Sequence, residues 1–81
     1  MERTDRYADL SRLHSVMADF YLYSFPNYSK AEVHIIEAEK LALKANDSDI
    51  YVFARMKRGI LFEKKKLFIN ALQVYKEVYD Y

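Results

Sequence analysis

The sequence predicts an all-α domain in which four helices fold as two antiparallel hairpins. Three observations carry that prediction. One Gly and one Pro among 81 residues leave almost no turn chemistry for β-hairpins or phosphate-binding loops. Apolar residues recur three and four apart through four successive segments. The breaks between those segments are short and polar: Pro26-Asn27, Asn46 to Asp49, and Glu63 to Lys66. A single domain over residues 1–81 follows, with hairpin one over about 4–45 and hairpin two over about 48–81.

The first helix is expected to start at Thr4 or Asp5, either of which can cap it. Its apolar stripe reads Tyr7, Leu10, Leu13, Met17, Phe20 and Tyr21, widened by Val16 and Tyr23 so that two neighbours are needed to cover it. Pro26 disfavours helical geometry at Phe25 and ends the run. Ser29, three residues before Glu32, has the spacing of a capping box for the second helix. Ala31, Ile35, Ala38, Ala42 and Ala45 then form one narrow face of mostly small side chains, suited to close approach by another helix. Ser48 or Asp49 is expected to cap the third helix, which carries Ile50, Phe53, Ala54, Met56, Ile60 and Leu61. Gly59 interrupts it at a cost of about 1 kcal/mol relative to Ala, which points to a packing role. The fourth helix repeats Phe68, Ala71, Leu72, Tyr75, Val78 and Tyr79, the cleanest helical series in the chain.

Composition narrows the function. The chain is 52% hydrophobic with 8 Tyr and 5 Phe, too apolar for a disordered linker. A net charge of +1 lacks the basic excess of a protein that binds nucleic acid through its phosphates, so direct nucleic-acid binding is not expected. Without cysteine there is no disulfide framework, thiolate metal site or thiol nucleophile. No apolar run reaches about 18 residues and the N-terminus has no apolar signal region, so the expectation is a cytoplasmic chain with no membrane association.

The two hairpins are related to each other. Ala31 and Ala71 are each preceded three residues earlier by an aromatic, Tyr28 or Phe68, and followed four later by a large residue, Ile35 or Tyr75. Ala38 and Val78 follow seven residues after those alanines, so the unit recurs with an offset of 40 residues. In the second hairpin Gly59, Phe62, Phe68, Ala71 and Tyr75 fall in the order and spacing that resembles a tetratricopeptide repeat (TPR): two small residues where helices cross, with aromatics around the crossing. The resemblance covers residues about 50–80 and implies right-handed, TPR-like stacking of the hairpins. Arg55 and Arg58 depart from it, standing where the family has large apolar residues. Hairpin one matches only in its second helix, and Asp19 occupies the place of a small residue. An up-down four-helix bundle is the alternative architecture. A narrower likeness, in Asn27 to Glu32 and Glu37 to Leu41, is to the helical repeats of Gram-positive peptide-pheromone receptors of the Rap, Rgg and PlcR types. It implies a fragment of a peptide-sensing regulator, connected with transcription regulation, whose concave face binds a short signalling peptide.

Candidate chemistry is sparse. His14 and His34 each stand alone in their helix, without the spacing of a metal site, and read as surface or half-buried histidines. Lys57, Arg58 and the run Lys64 to Lys66 form the densest positive charge; contact with phosphate or an acidic partner is one reading, and a solvated helix C-terminus is the other. Glu37 and Glu39 fall on different helix faces and cannot act on one bond. Neither an enzymatic activity nor a cofactor is therefore expected.

By the repeat register the first helix of each hairpin lines a groove, from Leu13, Val16, Phe20 and Tyr23 in hairpin one and Phe53, Met56, Ile60 and Glu63 in hairpin two. Such a groove either receives a protein or peptide or is core covered by another copy of the chain. Two hairpins bury little of their apolar surface, since about three repeats are normally needed, and Val74, Tyr75, Val78, Tyr79 and Tyr81 continue to the last residue with no terminating signal. The expected function is a protein- or peptide-binding module. A small self-assembling homodimer is the alternative.

Overall fold

The computed structural model describes residues 3–80, with side chains from residue 6 onward. Among these the chain is all-α: α1 (Arg3–Asp19), a π-helical turn (Phe20–Ser24), α2 (Tyr28–Ala45), α3 (Ser48–Lys64) and α4 (Phe68–Asp80). The expected caps at Thr4 or Asp5, and the final Tyr81, lie outside the described side chains.

Both interior caps sit one or two residues earlier than the sequence reading placed them. Asn27, not Ser29, caps α2, its side-chain oxygen accepting from the Lys30 N–H at 3.1 Å. Asp47, not Ser48 or Asp49, caps α3 and accepts from the Ile50 N–H at 3.2 Å. Each holds the extended backbone that an N-cap requires, which leaves Ser29 and Ser48 inside their helices. The π turn was not foreseen. The Phe25 N–H donates to the Phe20 carbonyl at 2.9 Å and the Asn27 N–H to the Tyr21 carbonyl at 2.8 Å. Pro26 has no N–H to offer, so the turn widens until Asn27 supplies the donor. Phe25, at φ −131° and ψ 80°, has left the helical region that a residue before proline disfavours.

Cross-helix pairs give the topology. Tyr7 meets Lys44, Ser11 meets Ala38, and His14 meets His34, so α1 and α2 run antiparallel. Arg55 meets Glu77 and Glu63 meets Tyr75, so α3 and α4 do too. Asp19 reaches Lys57 and Tyr23 reaches Lys64, which sets α1 and α3 side by side and parallel. Among the described residues α3 packs on α1, the π turn, α2 and α4, whereas α4 packs on α3 alone. The result is a thin slab, 41 × 30 × 14 Å.

The predicted narrow face of α2 is buried in full: Ala31, Ile35, Ala38, Ala42 and Ala45. α1 meets it with Ser11, Ser15 and Ala18 and the π turn adds Leu22, and the Ser11 hydroxyl donates to the Ala38 carbonyl at 2.6 Å. The Ser15 hydroxyl is buried with no partner. Ala18, Leu22, Ala31, Ile35 and Leu61 form the central cluster, with Tyr21, Tyr28 and Ile60 against it. The apolar stripe of the first helix lies mostly away from α2, with Tyr7 and Tyr21 half-buried at its edge. Leu10, Leu13, Met17 and Phe20 point to solvent, because the close α1–α2 approach admits only small side chains.

Charge joins the hairpins. Glu39 of α2 takes a two-point hydrogen bond from Arg58, with Nε and Nη2 both at 2.8 Å, and a third contact from Arg55 Nη1 at 3.2 Å. Arg55 continues to Glu77 of α4 at 2.9 Å. The Glu39 and Arg58 side chains are only 13% and 18% exposed. The hydrogen bond with Glu39 holds the Arg58 pKa above its ordinary value. The two arginines that depart from the repeat pattern thus form the junction between hairpins.

Of the residues assigned to repeat packing, Gly59 and Ala71 are buried, Phe62 and Tyr75 half-buried, and Phe68 exposed. The Tyr75 ring lies directly on Gly59: a Cβ there would stand 2.8 Å from Tyr75 Cζ. Ala in place of Gly59 should gain about 1 kcal/mol of helix propensity yet displace that ring. Gly59→Ala is expected to destabilise the protein by about 1–2 kcal/mol, and to stabilise it in a Tyr75→Ala background. Urea denaturation of the four proteins of that cycle reads both signs, and stabilisation in the native background would refute the contact. By the same measurement Glu39→Gln should cost about 3 kcal/mol by stranding Arg58. Glu37→Gln, which removes only an exposed 3.8 Å pair with Lys40, should cost less than about 0.5 kcal/mol. Equal effects would remove the junction's special role.

Candidate interaction surface

The parallel placement of α1 beside α3 creates a broad face with no helix over it among the described residues. α1 is inverted on this side. Its buried face holds Ser11 and Ser15 at 0% exposure, while Leu13 and Phe20 on the opposite face are 53% and 46% exposed. Val16 and Tyr23 are also exposed, completing the four positions of α1 and the π turn that continues it which were assigned to the groove. From α3, Met56 and Glu63 are exposed as well. Phe53 and Ile60 are only half-buried contributors: Phe53 lies under the Lys57 ammonium, 4.3 Å from its ring centroid, and Ile60 packs on the central cluster. Leu10 and Met17, members of the same apolar stripe, extend this face.

A polar seam runs between the two helices. Lys57 bridges to Asp19 at 3.2 Å, and Lys64 stands 4.5 Å over the Tyr23 ring. The Tyr75 hydroxyl donates to the Glu63 carboxylate. Burial, then that hydrogen bond, then the neighbouring charge of Glu63 and Tyr23 push the Tyr75 phenol well above its ordinary range, so it remains a donor. Three of the five cations in the basic stretch are thus engaged within the chain: Lys57, Arg58 with Glu39, and Lys64. Asp19, out of place for a small residue, is there to receive Lys57, although its second oxygen is buried without a partner.

At the α1–α2 end the structure joins what the sequence reading kept apart. His14 and His34 share a hydrogen bond between their Nδ1 atoms at 3.0 Å, their rings stacked with centroids 5.2 Å apart. Tyr21 stacks nearly parallel on the other side of the group, 5.7 Å from His34, and Lys30 lies over Tyr21. The antiparallel register that brings residue 14 opposite residue 34 is not visible in local spacing. Among the described residues no three His, Cys, Asp or Glu side chains gather as a metal site. Phe20, Tyr21, Phe25, Pro26, Asn27 and Lys30 line an open hollow next to this stack, where the Phe20 and Phe25 rings approach to 5.6 Å. No helix among the described residues is long and apolar enough to cross a membrane.

Such a surface supplies apolar contact area, aromatic edges and a few fixed charges, which is the chemistry of recognition. The His pair adds a pH dependence. Burial first, then the positive charge on His14 and Lys30, lowers the His34 pKa from 6.5. The unfolded chain therefore binds that proton more readily than the folded one. The stability contributed by neutral His34 is complete above 6.5 and is lost as the pH falls from there through the lowered value. The urea midpoint should drop between about pH 7.5 and about pH 5.5, and His34→Gln should flatten that drop. Parallel slopes in the two proteins would show that the pair does not couple to folding.

No protein-family model, curated protein or solved structure matches the chain.

Proposed function

We propose that the chain is a protein-interaction module that receives an amphipathic helix or short peptide on its α1–α3 face, with the two hairpins stacked in the right-handed manner of TPR proteins. The observation that carries this reading is the inversion of α1. A helix that buries serines and leaves Leu13, Val16, Phe20 and Tyr23 in solvent is matched to a partner. Met56 of α3 extends the apolar strip, and Lys64 and Glu63 stand beside it to orient a charged ligand end. The fit is helix-in-groove, read by apolar anchors three and four residues apart. The likeness to peptide-pheromone receptors supports the same class of ligand.

Panning a phage-displayed library of amphipathic helical peptides on the chain tests this reading. Enriched peptides should carry such anchors and lose binding at least tenfold to Phe20→Glu and to Met56→Glu, with helical circular dichroism unchanged. Failure to enrich any peptide, or binding indifferent to both substitutions, would exclude the face as the site.

A further inference from the structure

α4 carries a second unpartnered strip, and the 40-residue offset says what kind of object covers it. Tyr28, Glu32 and Glu39 of α2 correspond to Phe68, Leu72 and Tyr79 of α4. In hairpin one these positions face the next hairpin: Glu39 grips Arg55 and Arg58, and the charge of Glu32 acts on Arg58. In hairpin two the same positions are bare. Leu72 is 66% and Tyr79 93% exposed, Phe68 is exposed, and Ile69 lies alongside. A position that receives a helical hairpin in one half of the molecule is therefore apolar and open in the other.

We infer that α4 is a homodimer interface, in which two copies of this chain pair their α4 helices antiparallel about a two-fold axis. A two-fold contact is self-complementary, and this helix has the required asymmetry of charge. Lys66 stands two residues before its first residue and Asp80 is its last. Antiparallel pairing sets Asp80 of one copy against Lys66 of the other at both ends, with Phe68 and Tyr79 facing across and Leu72 near the axis. It also opposes the two helix dipoles favourably. A 13-residue helix is about 20 Å long, so the contact falls below the standard interface area and micromolar affinity is expected. The inference does not depend on the α1–α3 face, which shares no residue with it.

Sedimentation equilibrium of the full chain, from about 1 to about 100 µM, reads the association directly. The mass should rise from monomer towards dimer. Leu72→Glu should hold it at monomer with unchanged helicity, since Leu72 is 66% exposed in the folded chain. Asp80→Lys should weaken the dimer about tenfold, and Lys66→Glu in the same chain should restore it. A monomer throughout the range would overturn the inference. So would a dimer that survives Leu72→Glu, including one that Phe20→Glu breaks instead.

Discussion

The contact between Glu39 and the two arginines of α3 governs how the molecule is arranged. A carboxylate this enclosed must be met by donors, and Arg58 meets it with two parallel N–H groups while Arg55 adds a third. That planar fork admits little rotation, so it fixes the angle at which hairpin two meets hairpin one. Arg55 carries the constraint on to Glu77, tying α4 into the same network. Once α3 is held there, α1 and α3 lie side by side and the seam of Lys57, Asp19, Lys64 and Tyr23 closes between them.

The second constraint is thinness. Alanines on α2, serines on α1 and Gly59 beneath Tyr75 let the helices approach closely, but small side chains bury little apolar area. The large residues have to go elsewhere, and they stand on the outer faces of α1 and α4. Close packing inside and apolar exposure outside are two results of one choice of side-chain size. Specificity of helix placement then depends on directional contacts, such as the Glu39 fork and the Ser11 hydroxyl on the Ala38 carbonyl, more than on core volume.

Much of the fold was legible. The four helices, their polar joints and the whole buried face of α2 could be read from spacing, because alanines at that period have one plausible use. Caps were misplaced because Asn27 and Asp47 compete with nearby serines, and only backbone conformation decides among them. Which face of α1 meets α2 was not legible, for a deeper reason. Periodicity reports which residues share a side of a helix, but not which side meets protein, and serine buried at a tight crossing gives no apolar signal. Leu13, Val16, Phe20 and Tyr23 were assigned to a groove by the repeat register and not by periodicity, and all four are exposed. Arg55 and Arg58 looked like defects until their partner was known, and the meeting of His14 with His34 needed the register of two helices.

That last pair has a chemical consequence. When two neutral imidazoles share one hydrogen bond through their Nδ1 atoms, one ring must carry its proton on Nδ1 and the other on Nε2. The two tautomers are therefore locked to each other. One ring always turns a bare lone pair away from the contact while the other turns an N–H, and exchanging those roles between α1 and α2 takes two proton shifts: the shared proton crosses the bond while one outer Nε2 gives up its proton to solvent and the other takes one up. The helix seam thus displays one donor and one acceptor in either state, and anything that hydrogen-bonds to one ring's Nε2 dictates the protonation of the other.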